Sequence, residues 1–380
     1  NNAKFSAGVQ SGPEMYNDQR PFGSIQKPNQ QSYNANLNIG GPLIKHKLWF
    51  NFSFEYGYRE SAIQAGPPLF IKMVPQVSHR FLLRLKLTWA PNEKHRITLS
   101  ASADPAYFSN VNQDPGYSPL AQDFQGQGGI FAILQWDWFR TKNMNFNLQT
   151  GFQYSTIDTG PQGRQGGPFG GLTLGGFDKD PRFSGDPSLW TYNPNRPQQI
   201  NQDDGSVWHN GGAITSNKRY TFQFDPSISL RGRAAGSHDA KIGLQFRYMR
   251  FDLDYETPGD RYYINSGGGP LQNGICDPTT GMGGCLVEVA WDKWGNYQQG
   301  VSLGGYIQDR WKPIKRLTIT PGLRLDWGYS VNSQGQTVSN LFGVGPRLGI
   351  NVDLTGDAKT IFSAYYGRAN ETSTLLAAAY

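Results

Sequence analysis

The stretch LWFNFSFEYGYRE, residues 48–60, alternates large apolar side chains with polar or small ones. The large side chains occupy every even position from 48 to 58, and the odd positions after Trp49 are Asn51, Ser53, Glu55, Gly57 and Arg59. A period of two is typical of a β-strand, because successive side chains point to opposite faces. At ~3.3 Å per residue the stretch spans roughly 40 Å, about twice the usual strand of a soluble domain. The pattern predicts a long strand with one apolar face.

The same alternation recurs along the chain and predicts about 13 strands. Their apolar positions lie within residues 5–9, 33–39, 48–58, 81–89, 97–103, 130–138, 146–154, 220–230, 240–255, 301–311, 317–327, 346–352 and 360–366. In the segment 240–255 the apolar positions are even up to Tyr248 and odd from Phe251. This change of phase predicts a β-bulge near Met249.

Short and long connections alternate between the predicted strands. The short ones are 40–47, 90–94, 140–144, 231–239, 312–316 and 355–359, and the long ones are 60–77, 104–128, 155–217, 256–299 and 330–340. In an up-and-down antiparallel sheet this places the tight turns at one end and the long loops at the other, as in outer-membrane barrels. Soluble β-sandwiches also alternate, but they rarely combine such long strands and loops. We therefore predict an all-β, antiparallel transmembrane β-barrel with short periplasmic turns and long extracellular loops.

Composition narrows the function classes further. Only 17% of the 380 residues are charged, against about 25% in a typical soluble domain, and no run approaches the ~18 apolar residues of a membrane helix. The net charge is +6, but Lys and Arg are scattered singly, so no nucleic-acid partner is expected. The chain opens at Asn1 without an apolar signal segment, so we expect any export signal to lie upstream or to have been removed.

Motifs for catalysis are missing from the sequence. The five histidines are dispersed and lack metal-ligand spacing, and no nucleophile elbow of the G-x-S-x-G type occurs. The glycine-rich segment 163–176 lacks the Lys-Ser/Thr end of a phosphate-binding loop and is interpreted as a loop. We expect no catalytic residue and no cofactor, and the chain is not expected to be an enzyme.

Three sets of residues are weaker site candidates. Cys276 and Cys285 lie in one long loop and are predicted to form a disulfide in an oxidising compartment. One acidic group crowds a strand end and could hold Ca²⁺, although solvated rim carboxylates are the favoured interpretation; it consists of Asp252, Asp254, Glu256 and Asp260. Aromatic side chains of the longest loop could bind a peptide or glycan, although packing of the loop on itself is favoured; they include Trp190, Tyr192 and Trp208.

Three stretches resemble the barrel of TonB-dependent outer-membrane receptors, in particular the Oar-like branch. NANLNIGGPLIKHKLWFNFSFEYGYRE is similar to that family's strand, GGP turn and aromatic strand. YIQDRWKPIKRLTITPGLRLDW, residues 306–327, resembles its Q-D-x-W hairpin, and GPRLGINVDLTGDAKTIFSAYYGR, residues 345–368, resembles its P-R-L-G strand, TGDGKT-type turn and YGR strand. In the last two stretches, the predicted polar face contains Arg324, Asp326, Arg347, Asn351 and Asp353. Charges on that face could pair across neighbouring strands.

The resemblance implies a location in the cell outer membrane and a role in transport. Residues 1–380 are expected to form part of a barrel of 22 strands, with extracellular loops at about 156–217 and 256–299, and without the family's plug domain or the closing strands. The implied partners are outer-membrane lipid, a bulky nutrient (peptide, glycan or metal chelate) and a periplasmic TonB-type energy coupler acting through the plug. A passive porin and a surface adhesion or scaffold barrel are the alternatives.

Overall fold

The structure is a computed structural model that describes residues 4–11, 30–61, 76–111, 123–161, 198–201, 205, 207–208, 213–258, 261–265, 285–290 and 293–369. Within those ranges no helix is long and apolar enough to span a bilayer. The strands are β1 Lys4–Ser11, β2 Gln30–Ile44, β3 Leu48–Ser61, β4 Gln76–Asn92, β5 His95–Ala103, β6 Ala106–Ser109, β7 Asp123–Thr141, β8 Met144–Pro161, β9 Gln198–Asn201, β10 Val207–Trp208, β11 Ile214–Arg233, β12 Ser237–Glu256, β13 Arg261–Asn265, β14 Cys285–Ala290, β15 Trp294–Asp309, β16 Trp311–Ile314, β17 Leu317–Asn332, β18 Thr337–Asp353 and β19 Ile361–Gly367.

Fifteen strands form one antiparallel sheet, the main sheet, in which sequence neighbours are spatial neighbours. The order is β1-β2-β3-β4-β5-β7-β8-β11-β12-β15-β17-β18-β19, with the short β6 and β16 beside this path. The predicted all-β, up-and-down fold is therefore confirmed. In the described part of the chain β1 pairs only with β2, and β19 only with β18.

The two faces of the main sheet differ in polarity, and the apolar one is the more exposed. Register aligns apolar side chains between strands, as where Phe52 lies opposite both Ile39 and Leu85. We call this side the apolar face and the other the polar face. Exposed large side chains of the apolar face include Leu85, Leu134, Phe152, Phe222, Leu244, Leu303, Leu325 and Phe342.

On the polar face, by contrast, several acidic and hydroxyl side chains are buried. Asp326 is 4% exposed, and Asp137 and Ser330 are each 5% exposed, whereas Leu244 on the apolar face is 63% exposed. A water-soluble sheet protein buries its apolar face. The arrangement here is the reverse, which is stable where hydrocarbon covers the apolar face.

Strand β12 contains no bulge near Met249, so that prediction is wrong. Its register against β11 runs without a shift from Arg233–Ser237 to Ile214–Glu256, and its register against β15 is equally continuous. Arg250 therefore lies on the same face as Phe246 and Tyr248. The polarity of that face changes along the strand while the backbone pairing does not.

Tight turns gather at one end of the main sheet, which we call the lower end. The turns at 45–47, 93–94, 142–143 and 234–236 all lie there. At the upper end, the predicted long connection 330–340 is wrong, because β17 and β18 extend into it and leave only residues 333–336. Asn332 explains this short turn, since its Oδ1 accepts bonds from the backbone N–H groups of Gln334 and Gln336 at 3.1 and 2.9 Å.

Two long upper connections join in a second, four-stranded sheet. Strands β9 and β10 come from the connection between β8 and β11, and β13 and β14 from the one between β12 and β15. Their order is β10-β9-β13-β14, and β9 pairs with β13 in parallel, with Ile200 opposite Ile264. We call this the loop sheet. The sequence pattern gave no sign that the two loops meet.

Candidate functional site

Charged side chains of the polar face form hydrogen-bonded groups across neighbouring strands. Register places Arg96, Asp137 and Asn147 side by side on β5, β7 and β8. The Asp137 carboxylate accepts bonds from Arg96 Nη2 at 3.0 Å, Asn147 Nδ2 at 2.8 Å and Gln135 Nε2 at 3.2 Å. Asp137 is thus buried with its acceptor capacity used, as a buried carboxylate requires.

A second charged group lies on β17 and β18. Arg324 Nη2 is 2.7 Å from Asp326 Oδ1, and Arg324 Nε donates to the same carboxylate. The sequence suggested that such charges could pair across neighbouring strands, but this pair joins residues two apart on the single strand β17. Arg324 also lines a small cavity of about 240 Å³, together with Lys241 and Arg347.

A larger cavity of about 520 Å³ lies on the polar face nearer the upper end, and we call it the upper cavity. Strands β4, β5, β7, β8 and β11 form its wall. The side chains that define it are two arginines, three amides and three apolar groups, namely Arg84, Arg219, Gln127, Gln153, Asn217, Leu82, Phe131 and Ile157. These residues come from separate strands and share no sequence motif, so the sequence alone does not reveal the cavity.

The acidic candidates lie above Tyr248 on the face that is apolar lower down. Each described member has a cationic neighbour: Asp252 lies 2.8 Å from Arg250, Asp254 lies 3.8 Å from Lys218, and Glu256 lies 3.0 Å from Lys293. Asp260 is outside the described residues. Within the described ranges no three His, Cys, Asp or Glu side chains are grouped so that they could hold a metal ion.

The other candidates fall wholly or partly outside the described residues. Trp190, Tyr192 and Cys276 lie outside them. Trp208 is in β10, where its backbone pairs with that of Gln199. Cys285 begins β14. The disulfide and the aromatic ligand site therefore stay predictions.

At the lower end, the QDRW segment joins two turns. The ring nitrogens of His238 lie 2.6 Å from Asp309 Oδ2 and 2.8 Å from the carbonyl oxygen of Ala234. Trp311 stacks on that ring, with centroids 5.8 Å apart, and donates to the carbonyl oxygen of Ala235 at 3.0 Å. The bond to Asp309, assisted by the one to Ala234, raises the pKa of His238. The Asp and Trp of the Q-D-x-W resemblance therefore have structural roles in the turn.

Asp353 organises the turn between β18 and β19 in a similar way. Its carboxylate accepts bonds from the backbone N–H groups of Gly356 at 2.7 Å and Ala358 at 3.0 Å. Both residues have positive φ, 81° for Gly356 and 62° for Ala358. The resembling turn, TGDGKT, has glycine where this chain has Ala358, so a side chain occupies a left-handed position here.

Solved outer-membrane proteins share this architecture at low sequence identity. The outer membrane transporter YddB from Escherichia coli is 10% identical with a TM-score of 0.62, over 89% of this chain and 38% of that one. The ferric yersiniabactin uptake receptor FyuA from Yersinia pestis is 13% identical (TM-score 0.51; 85% and 42%), and the ferric preacinetobactin receptor BauA from Acinetobacter baumannii is 9% identical (TM-score 0.51; 92% and 45%). The chain spans about two fifths of the length of these proteins.

Comparison of the sequence with curated proteins finds no match. Comparison with protein families matches residues 69–343 to the family described as an outer membrane beta barrel domain. That segment runs from the connection before β4 into β18 and so includes most of the main sheet. The protein therefore resides in the outer membrane, and its chain belongs to the outer membrane beta barrel domain family.

Proposed function

We propose that this chain forms part of the barrel wall of a TonB-dependent transporter that takes up a bulky nutrient across the outer membrane. The apolar face contacts lipid, and the polar face lines the passage. A plug domain and further strands, supplied from outside residues 1–380, complete the barrel, and a periplasmic energy coupler acts through the plug. The side chains of this chain bind and release the nutrient without making or breaking covalent bonds.

The joining of two long loops in the loop sheet carries the proposal. A passive channel needs an open mouth, whereas loops paired through β9 and β13 present one ordered surface at the upper end of the strands. Such a surface suits capture of a ligand of peptide or chelate size. The likeness in fold to YddB, FyuA and BauA agrees with this interpretation.

The test uses cells that express the complete outer-membrane protein, with and without a TonB-type coupler. Growth is measured on a panel of peptides, oligosaccharides and ferric chelates offered as limiting nutrients. We expect at least one compound to support growth only when both proteins are present. Replacing residues 162–213 by a short Gly-Ser turn, which removes β9 and β10 but leaves β8 beside β11, should abolish that growth.

A conductance measurement distinguishes the proposed transporter from the two alternatives, a passive porin and an adhesion barrel. In planar bilayers with KCl, the transporter should stay closed to small ions. An open conductance together with growth that is independent of the coupler would establish a passive porin instead. Adhesion to a surface partner, with neither growth nor conductance, would establish an adhesion barrel.

A further inference from the structure

The upper cavity brings together side chains from five strands in adjacent rows of the polar face. One row runs from Arg84 through Ser102 and Phe131 to Gln153. The next row towards the upper end contains Arg219. With neighbouring strands about 4.8 Å apart, the backbones of the two arginines are separated by roughly 19 Å along the wall. Two extended guanidinium groups that line one cavity can therefore reach a single small ligand.

Within the described ranges, neither Arg84 nor Arg219 forms an ion pair with an acidic side chain. Two other arginines of the polar face bind a carboxylate, since Arg96 pairs with Asp137 and Arg324 pairs with Asp326. In the described part of the chain Arg84 forms no ion pair, although Glu55 lies one register step away on β3. The guanidinium group of Arg219 lies over the ring of Phe251, 5.3 Å from the ring centroid. Ten guanidinium N–H donors are thus open to an anion.

Asp104 is the acidic side chain in the cavity lining, and it is already engaged. Its Oδ1 accepts a bond from the backbone N–H of Gly129 at 2.9 Å. That bond holds the carboxylate against β7 rather than across the cavity. Arg84 and Arg219 together carry two positive charges against this one negative charge, so the lining favours a monoanion or dianion.

Apolar side chains interrupt the polar face at the same place. Phe131 is 39% exposed and Ile157 is 43% exposed, and both point to the polar side by register with Ser102 and Asn217. When a ligand covers an exposed apolar side chain, apolar surface is removed from water, and this favours binding. The cavity therefore offers one surface for charge and another for an apolar group.

We infer that the upper cavity binds a small organic anion in which a carboxylate or phosphate is attached to an apolar ring or chain. Arg84 and Arg219 bind the anionic group, Phe131 and Ile157 contact the apolar part, and Gln153 and Asn217 supply amides between them. The inference rests on the proposed function, in which the polar face lines the passage. A solute bound to that face would be a solute that is being transported.

The experiment measures binding of 1-naphthyl phosphate by calorimetry to the complete outer-membrane protein in detergent. R84Q and R219Q should each weaken binding about tenfold, since each removes a charge-assisted bond, and R84K and R219K should keep most of the affinity. I157N should weaken binding of 1-naphthyl phosphate severalfold but leave inorganic phosphate unaffected. The neutral analogue 1-naphthol should bind more weakly than the phosphate.

K86Q is the matched control. Lys86 is on the same strand and face as Arg84 but outside the cavity lining, so its loss should change affinity by no more than about twofold. Absence of binding, equal affinity in the wild type and the arginine variants, or equal weakening by K86Q would each overturn the inference. So would arginine variants that lower only the stability of the protein, because the arginines would then pair with another protein segment.

Failure of the inference and failure of the proposed function give different results. Binding in detergent does not require an energy coupler. If binding is absent but coupler-dependent growth is present, the proposed transport function is supported and the anion site is rejected. If binding is present but no nutrient is taken up, the anion site belongs to a barrel with another role.

Discussion

The lower and upper parts of β12 show opposite patterns on one continuous strand. In residues 240–248 the even positions are Ala, Ile, Leu, Phe and Tyr, whereas in residues 250–256 they are Arg, Asp, Asp and Glu. The odd positions change in the other direction, to Phe251, Leu253 and Tyr255. Because the register is unbroken, the change reflects the surroundings of the strand.

Side chains of neighbouring strands mark the same boundary. Tyr154 and Tyr220 lie 5.1 Å apart near the level of Tyr248. At the same level Arg250, the register partner of Tyr220, lies over the ring of Tyr297 at 4.4 Å. Tyrosines at the edge of an apolar belt are typical of a membrane interface. We infer that the lower part of β12 crosses hydrocarbon and that the upper part has water on its outer side.

The largest expected effect comes from a charge placed in the lower part. Leu244→Arg puts a cation on the lipid side of the apolar belt, and we expect it to lower the free energy of unfolding by about 2–4 kcal/mol. The measurement is urea-induced unfolding of the complete protein from phospholipid vesicles. The control, Ser216→Arg, adds the same charge on the same face above the boundary, between Asp158 and Asp254. It should cost at most about 1 kcal/mol, and equal costs at both positions would contradict the boundary.

An intermediate effect is expected from removing carboxylates on the two sides of the boundary. Asp137→Ala breaks bonds from Arg96, Asn147 and Gln135 at a buried position, and we expect a loss of about 2 kcal/mol. Asp254→Asn acts on an exposed pair with Lys218 and should cost about 0.5 kcal/mol or less. The same unfolding assay measures both variants. A reversed order would mean that the upper ion pairs, rather than the polar face, stabilise the sheet.

The smallest expected effect concerns the lower end of the strands. There the conformation of the turns, rather than contact with lipid, is expected to determine stability. Ala358→Gly relieves a left-handed backbone position at φ 62° and should raise the free energy of unfolding by about 1 kcal/mol. Ala364→Gly, in the middle of β19, should instead lower it by about 0.5–1 kcal/mol. Two changes of the same sign would show that the conformation of Ala358 is not what limits this turn.

Alternation of side chains predicted most strands because it is a local signal. The strand around Phe52 and those around Leu134 and Phe222 are recognisable from a few residues each. The same rule failed at Met249, because it assumes one environment for each face along a whole strand. It also missed that β17 reaches Asn332, where polar residues continue a strand that has passed beyond the apolar belt.

The candidate site was much less predictable than the fold. Arg84 and Arg219 belong to β4 and β11, and they share a cavity only through the register of the strands between them. Register is a sum of pairings along the whole sheet, so a single strand does not reveal it. The pairing of Ile200 with Ile264 in the loop sheet is similarly long-range. By contrast, Asp353 accepts bonds from Gly356 and Ala358 within its own turn, which the sequence motif contains. Asp309 also lies in a recognisable motif, but its partner His238 is 71 residues away in the sequence.

The upper part of β12 has a consequence for access to the upper cavity. At ~3.3 Å per residue and a tilt of ~40°, residues 249–256 carry the wall roughly 20 Å beyond the hydrocarbon. This part of the wall therefore rises above the bilayer, and the row of Arg84 and Phe131 lies near the base of the raised part. In the proposed transporter a solute would pass this raised wall before it meets the two guanidinium groups.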